Sequence, residues 1–380
     1  MKLGIAAIFK NEYDYILEWI AYHKLMGVDN FYIADNVSDD GSSQLLEALD
    51  YLGVIKRVHF PRVGDVGPQV PAYNHILNYY GGEVDLLAFI DADEFIVSTN
   101  ELSLKENLAA FHAIEDAGAL ALNWRNFGSS GHKVRSAGPV IERFRRASKK
   151  DHDFNRHIKT ILKPSMVQKM NIHECTLKSG GYYSGNLEPT KFENGAPSEP
   201  KTVDVQYNRV RINHYVVKSR QEHIINKQRK GSGAGSAGRQ KGESYFRAHD
   251  LNDELDDIMS SFVGDVKLVI KEVGEQLETK SPYLCYGKAV VNVTPEIISG
   301  WAISEFEGPL KVRLLINEQE HLVKVDCPRP DVLRKGISSH LNCGFRYKPS
   351  RVLTPEDKVE AYIYGTFLSA KVHYSFESVS

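Results

Sequence analysis

The first ninety residues alternate short, almost wholly apolar runs with amphipathic stretches, and this alternation restricts the fold more than any other feature of the chain. Leu3 to Phe9 is nearly continuous in apolar residues, as a strand covered on both faces must be. Ile16, Trp19, Ile20 and His23 then recur at helical spacing, and Gly27 stands where a helix would stop. Phe31 to Ala34 reads as a second strand, followed by the turn-rich Asp35 to Gly41. Ser42 or Ser43 is placed to cap a helix carrying Leu45, Leu46, Leu49 and Leu52, which ends at Gly53. Val54 to His59 is a third strand, Pro71 to Tyr80 a third helix and Leu86 to Ile90 a fourth strand. The pattern predicts an α/β domain whose mostly parallel, Rossmann-like sheet has helices on both faces.

The pattern then changes twice. Between Ala119 and Tyr215 the strands shorten and the loops grow polar. Gln221 to Arg229 reads as helix, and Gly231 to Gly238, which holds only Gly, Ser and Ala, reads as a mobile loop suited to closing over a ligand. Asp253 to Leu277 reads as a helical connector. Beyond Ser281 there are seven short candidate strands between turns, at Lys288–Val293, Ser299–Ser304, Lys311–Ile316, Leu322–Val325, Gly344–Tyr347, Lys358–Tyr364 and Ala370–Phe376. Their density predicts an all-β sandwich, in which Trp301 reads as a core residue. With 380 residues to distribute, the expected units are a domain over 1–250, a connector over 251–283 and a β-sandwich module over 284–380.

A net charge of −2 gives no global reason to expect nucleic acid as a partner. The stretches Arg143–Lys163 and Lys218–Lys241 are locally basic. Such surface suits phosphate groups of a small ligand or peripheral contact with an anionic membrane face. The four cysteines, at 175, 285, 327 and 343, are too far apart for a CxxC pair, which fits a reducing, cytoplasmic setting. The apolar start is too short and too soon interrupted for a signal peptide, and no apolar run approaches a membrane span.

The most specific chemical signal is Phe89-Ile90-Asp91-Ala92-Asp93-Glu94-Phe95. Two carboxylates at i and i+2 emerge from a buried strand at its carboxyl end, where open α/β sheets bind ligands. Mg²⁺ or Mn²⁺ takes oxygen ligands of this kind and bridges them to phosphate oxygens. A second acidic turn, Asp35-Asn36-Val37-Ser38-Asp39-Asp40-Gly41, ends the second strand, where a carboxylate can accept hydrogen bonds from a nucleobase or ribose. By itself that turn is ordinary capping chemistry.

Taken in order, Phe9-Lys10-Asn11-Glu12, Glu18-Trp19-Ile20-Ala21-Tyr22-His23, Asp35 to Gly41, and Asp91-Ala92-Asp93-Glu94-Phe95 resemble the GT-A glycosyltransferases, specifically the family 2 and family 92 branch, over about Met1 to Lys230. The resemblance implies a metal-dependent hexosyltransferase-type enzyme. It would move a sugar, with inversion, from a nucleotide-sugar donor (a UDP-sugar) to a saccharide or glycolipid acceptor in surface polysaccharide or lipopolysaccharide synthesis. It implies that Asp35 contacts the base, that Phe9, Asn11 and Glu12 lie beside the nucleotide, and that Asp91 and Asp93 bind Mn²⁺ or Mg²⁺. The usual family 2 pattern after the second strand is Asp-Asp-Gly-Ser-x-Asp, and this chain departs from it at Asn36 and Val37.

Further candidates follow. Trp124, in Asn123 to His132, can stack on a pyranose face, and Lys159 can meet a phosphate. His214 is placed for the histidine that many enzymes of this type add to the metal. The acceptor hydroxyl must lose a proton to a carboxylate or histidine; Glu174 is the choice for that base, with Glu94 and His173 on the sugar or acceptor side. Two other readings compete: a sugar-phosphate nucleotidyltransferase, whose Gly-rich phosphate loop is missing after Phe9, and a non-catalytic carbohydrate-binding protein.

Overall fold

The computed structural model describes residues 1–227, 241–280, 287–304, 310–364 and 369–376. The Gly-rich loop of 231–238, with the closure expected of it, lies outside the described residues, as does Cys285.

Five strands lead the chain: β1 (Leu3–Phe9), β2 (Asn30–Asp35), β3 (Lys56–His59), β4 (Leu86–Phe89) and β5 (Glu94–Ser98). Next come β6 (Ala117–Asn126), β7 (Arg146–Ala147), β8 (Ile158–Leu162), β9 (Val167–Met170), β10 (Cys175–Leu177), β11 (Gly181–Ser184), β12 (Val210–His214) and β13 (Glu254–Leu255). One curled mixed sheet runs in the order β3-β2-β1-β4-β8-β6-β12-β5, with β11 added beside β6. The pairs β1/β2, β1/β4, β2/β3 and β6/β12 are parallel, so the carboxyl ends of β1, β2 and β4 open together, and those of β6 and β12 open together.

The continuous apolar run of β1 has a direct physical cause. Leu3, Ile5, Ala7 and Phe9 enter one core, which includes residues of helices α1 (Tyr13–Leu25), α2 (Ser42–Tyr51) and the later helix Val263–Lys280. Ala6 enters the other core, beneath α3 (Gln69–Tyr80). Every residue of α1 expected on its apolar face is buried: Ile16, Trp19, Ile20 and His23. The helix ends at Leu25, and Gly27 closes it at φ 87° with its N–H on the Lys24 carbonyl.

Several local expectations change. Neither Ser42 nor Ser43 caps α2; the cap position is Gly41, at φ 98°. The Ser42 hydroxyl accepts the Glu12 N–H, and the Ser43 hydroxyl donates to Asp35. These serines tie the acidic turn to β1 and β2 instead. The expected connector helix begins only at Val263. Before it, β13 pairs with β7, and Glu254 and Asp256 take the guanidinium of Arg125, with Arg211 also on Asp256. Partners distant in sequence outweigh helix propensity there.

Past residue 286 two separate, mostly antiparallel sheets form. One contains β14 (Gly287–Val293), β15 (Ile298–Ser304), β18 (Gly344–Tyr347) and β20 (Lys371–Tyr374); the other contains β16 (Lys311–Ile316), β17 (Gln319–Lys324) and β19 (Val359–Ile363). Val291, Ile298 and Phe345 of the first sheet share a core with Leu314, Val323 and Ile363 of the second. Strand β17 starts earlier than expected, because Asn317 and Glu318 both adopt positive φ (47° and 69°) and make a two-residue hairpin. Trp301 is not in that core; alternation along β15 turns Ile298, Gly300 and Ala302 inward and leaves Trp301 half-buried. Among the described residues no helix is long and apolar enough to cross a membrane.

Candidate active site

The loop between β4 and β5 carries Asp91, Ala92 and Asp93, and its shape is fixed from several sides. Glu94 closes it, with the Asp91 N–H donating to Glu94 Oε2 at 2.8 Å and the Glu94 N–H to the Asp91 carbonyl at 3.1 Å. The Trp19 indole N–H reaches the carbonyls of Asp91 (3.1 Å) and Glu94 (2.9 Å) from the helical layer below. The loop is thus held before any ligand arrives.

Both carboxylate oxygens of Asp91 are engaged. Oδ1 accepts from Gln69 Nε2 at 2.9 Å and from the Tyr73 hydroxyl at 3.1 Å, two residues one turn apart on α3. Oδ2 accepts from Lys159 Nζ at 2.8 Å, and Glu94 Oε2 lies 3.6 Å from the same ammonium. Burial works against the Lys159 charge, but Asp91 and Glu94 outweigh it and hold its pKa above the ordinary value. For Asp91, burial pushes the carboxyl up and Lys159 more than reverses that, leaving it lowered. Glu94, wholly buried, is raised by burial.

Asp93 differs. Its Oδ2 lies 3.8 Å from His214 Nε2, at the end of β12. Two donors each about 2.1 Å from one hard cation can be no more than about 4.2 Å apart, so this pair fits a shared ion. Among the described residues no group of three or more His, Cys, Asp or Glu is arranged to hold a metal. Asp93 and His214 would supply two donors among the described residues, and ligand oxygens or water would complete such an ion's shell.

Above this floor opens a cavity of about 590 Å³. Lys10, Arg62 and Lys241 put three cations on its wall beside Glu12 and the two aspartates. The same wall carries an aromatic cluster. The Trp124 ring stacks on His157 (5.3 Å between centroids), meets His173 edge-on (5.4 Å) and tilts onto His214 (4.4 Å). Phe154, His249 and Tyr245 continue it, with His249 stacked between the other two. Burial lowers the pKa of both His157 and His173, the latter to about 3, so both rings are neutral near pH 7. Two buried polar atoms on this wall, Asn36 Oδ1 and Trp124 Nε1, have no hydrogen-bond partner among the described residues. Orphaned groups of that kind are expected where a ligand binds.

Of the residues singled out in the sequence, Phe9, Glu12, Asp91, Asp93, Trp124, His173 and His214 line the cavity. Lys159 and Glu94 lie buried beneath the Asp91–Asp93 turn rather than on the wall. Asn11 sits at φ 52° and binds the Asp39 N–H through its side chain. Asp35 is fully buried, with Ser43 on Oδ1 (2.7 Å) and Arg57 on Oδ2 (2.8 and 3.0 Å), and it is not on the wall. Glu174 holds the turn between β9 and β10 through Asn171 and likewise stands off the wall. Sequence reasoning missed Gln69, Tyr73, Asn126, His157, Tyr245 and His249. Only the i, i+4 spacing of Gln69 and Tyr73 left a trace, as one polar face on an otherwise core-facing helix.

Comparison with known proteins agrees on the family. The family model of glycosyltransferase family 92 matches residues 4–230. A glycosyltransferase family 92 protein of Oryza sativa subsp. japonica is 25% identical over 184 residues, covering 48% of this chain and 31% of the relative. One of Arabidopsis thaliana is 25% identical over 193 residues, covering 47% and 32%. The chain therefore spans about a third of the length of these curated relatives. Among solved structures, S. aureus TarS 1–349 in complex with UDP-GlcNAc aligns with 16% identity and a TM-score of 0.34, covering 74% of this chain and 76% of that one.

Proposed function

The chain belongs to glycosyltransferase family 92, and on that premise we propose that it transfers a sugar from a nucleotide-sugar donor, a UDP-sugar, to a saccharide hydroxyl. The observation that carries this reading is the pairing of Asp93 with His214 at 3.8 Å on the floor of a cavity whose wall also bears Lys10, Arg62 and Lys241. Asp93 and His214 would hold Mn²⁺ or Mg²⁺. When bound, such an ion offsets negative charge on a departing diphosphate.

The chain's own residues do the rest. Lys10, Arg62 and Lys241 meet the diphosphate by charge-assisted contacts. Asn36, through its orphaned Oδ1, accepts an N–H from the nucleobase, while Asp35 stands behind it as the anchor of Arg57. Trp124, with His157 and His173 packed on it, offers the acceptor sugar a neutral aromatic surface. Transfer proceeds by a single displacement with inversion. Glu174 is our choice for the base that takes the acceptor proton: burial raises its carboxyl, the preceding residue His173 reaches the cavity wall, and because Glu174 itself stands off that wall the proton would pass to it through one water.

A screen of nucleotide sugars with Mn²⁺, read by thermal shift and then by release of the nucleoside diphosphate, tests this reading. It should find a UDP-sugar that stabilises the chain and turns over with the parent but not with Asp93→Ala. A folded parent that binds none of them would overturn it.

A further inference from the structure

His214 is oriented by an amide relay that starts at Asn155, a fully buried residue behind the cavity lining. Asn155, fully buried, donates its side-chain N–H groups to the carbonyls of Lys149 (2.8 Å) and Lys150 (3.1 Å) and to the Ser148 hydroxyl (2.9 Å). Those bonds settle which end of the amide is oxygen. That oxygen accepts both the backbone N–H and the side-chain N–H of Asn126, each at 3.0 Å. The Asn126 amide is thereby fixed too, with its own Oδ1 directed at His214 Nδ1, 3.0 Å away. An acceptor at that position requires a proton on Nδ1. The neutral ring then carries its lone pair on Nε2, and Nε2 is the atom that lies 3.8 Å from Asp93 Oδ2.

We propose that Asn126, locked by Asn155, is a positioning residue that fixes the tautomer of His214 and makes Nε2 and Asp93 Oδ2 a two-donor cation site. This inference rests on the function proposed above but goes beyond it by placing the determinant of cation affinity in residues that do not touch the ion. A lone pair and a carboxylate oxygen facing each other repel unless a cation lies between them. The relay prevents the ring from escaping that repulsion by moving its proton to Nε2. Outer partners of this kind typically change metal affinity by about 10–100-fold.

The test pairs two substitutions at position 126 in the full chain. Asn126→Asp keeps an acceptor for the Nδ1 proton while giving up the donor to Asn155 Oδ1, and Asn126→Leu removes both at similar size. Long-range ¹H–¹⁵N correlation spectra, with His214→Gln for assignment, should show the parent's His214 protonated on Nδ1 alone. Asn126→Asp should keep that signature, and Asn126→Leu should lose it. Mn²⁺ titration in the presence of UDP, followed by electron paramagnetic resonance, should show affinity near the parent's for Asn126→Asp and a loss of about 10–100-fold for Asn126→Leu. A parent His214 protonated on Nε2, or on both nitrogens, would overturn the relay. So would Asn126→Leu with unaltered spectrum or Mn²⁺ affinity. A parent with the Nδ1 signature but no Mn²⁺ binding would overturn the cation site, and with it the metal-dependent reading, while leaving the tautomer assignment intact.

Discussion

Lys159 and Asp91 form an ion pair of 2.8 Å in which the lysine is completely buried and the carboxylate about a third exposed. The lysine lies between Asp91 and Glu94, so two of the three acidic groups in the Asp91–Glu94 turn share one internal cation. This arrangement separates the roles of the two aspartates. Asp91 lines the cavity while tied to the scaffold through Lys159, Gln69 and Tyr73, and Asp93 lines it beside His214.

Removing the internal cation should therefore be a stability mutation first. Lys159→Met leaves Asp91 and Glu94 facing each other without compensation, and breaking a buried pair from one side costs about 3 kcal/mol or more. Urea unfolding should show a loss of that size for Lys159→Met and a change under about 1 kcal/mol for Asp93→Ala. Equal losses for the two variants would mean that Asp93 is as structural as Asp91.

The nucleobase side gives a second contrast. Asn36 lines the cavity with an oxygen that has no partner among the described residues, while Asp35 is saturated by Ser43 and Arg57. Asn36→Ala should weaken UDP binding by roughly tenfold, the worth of one hydrogen bond of about 1.4 kcal/mol, without moving the melting temperature. Asp35→Asn should do the reverse, lowering the melting temperature by leaving Arg57 without its full counter-charge. Calorimetry and thermal melts on the same two proteins decide it. A large UDP defect in a stable Asp35→Asn would return the base contact to Asp35.

How far the sequence carried these conclusions depended on the distance between partners. The strands of the sheet were legible because burial on two faces leaves an unbroken apolar run in the chain itself, as in Leu3–Phe9. Asp91-Ala92-Asp93 was legible because both carboxylates follow such a run directly. Lys159 read as a phosphate contact because its partner Asp91 lies 68 residues away, and nothing local distinguishes a buried lysine from an exposed one. Asn126 and Asn155 were silent for the same reason, being 29 residues apart and ordinary in their own neighbourhoods. Glu254 and Asp256 read as helix formers until Arg125 and Arg211, more than forty residues upstream, gave them another use.

Acid should release a second internal ion pair. Burial pushes the Glu222 carboxyl up, but the Arg143 guanidinium, bonded to both its oxygens at 2.9 and 3.0 Å, pulls it well below the usual 4.5, to about 2. A carboxyl lowered by folding stabilises the chain above its unfolded pKa, and that stabilisation is lost as pH falls from 4.5 toward 2. The drop corresponds to roughly 3 kcal/mol. Glu222→Gln should be less stable than the parent at pH 6, and the difference should shrink steadily by pH 2.5 in urea midpoints. Curves that stay parallel across that window would contradict the assignment.

The C-terminal sheets have their own core, yet they also meet α1 and the segment that holds Arg135 through charge. Arg313 and Glu320, on β16 and β17, reach Asp14 of α1 and Arg135, and Tyr13 packs near Tyr364. We expect residues 284–380 to fold alone, with a cooperative melt and a β-type circular dichroism spectrum. Residues 1–283 should melt several degrees below the full chain, because Arg135 and Asp14 lose partners in a buried setting. An unfolded 284–380 fragment would mean that this segment completes the larger core.

Asp93 and His214 together should make UDP binding depend on a divalent cation. Isothermal titration of UDP into the full chain, with and without Mn²⁺, measures it directly on the parent, Asp93→Ala and His214→Ala. Mn²⁺ should strengthen binding to the parent by tenfold or more. Both variants, folded by circular dichroism, should bind UDP equally weakly whether or not Mn²⁺ is present. A cation effect that survives in either variant would contradict it.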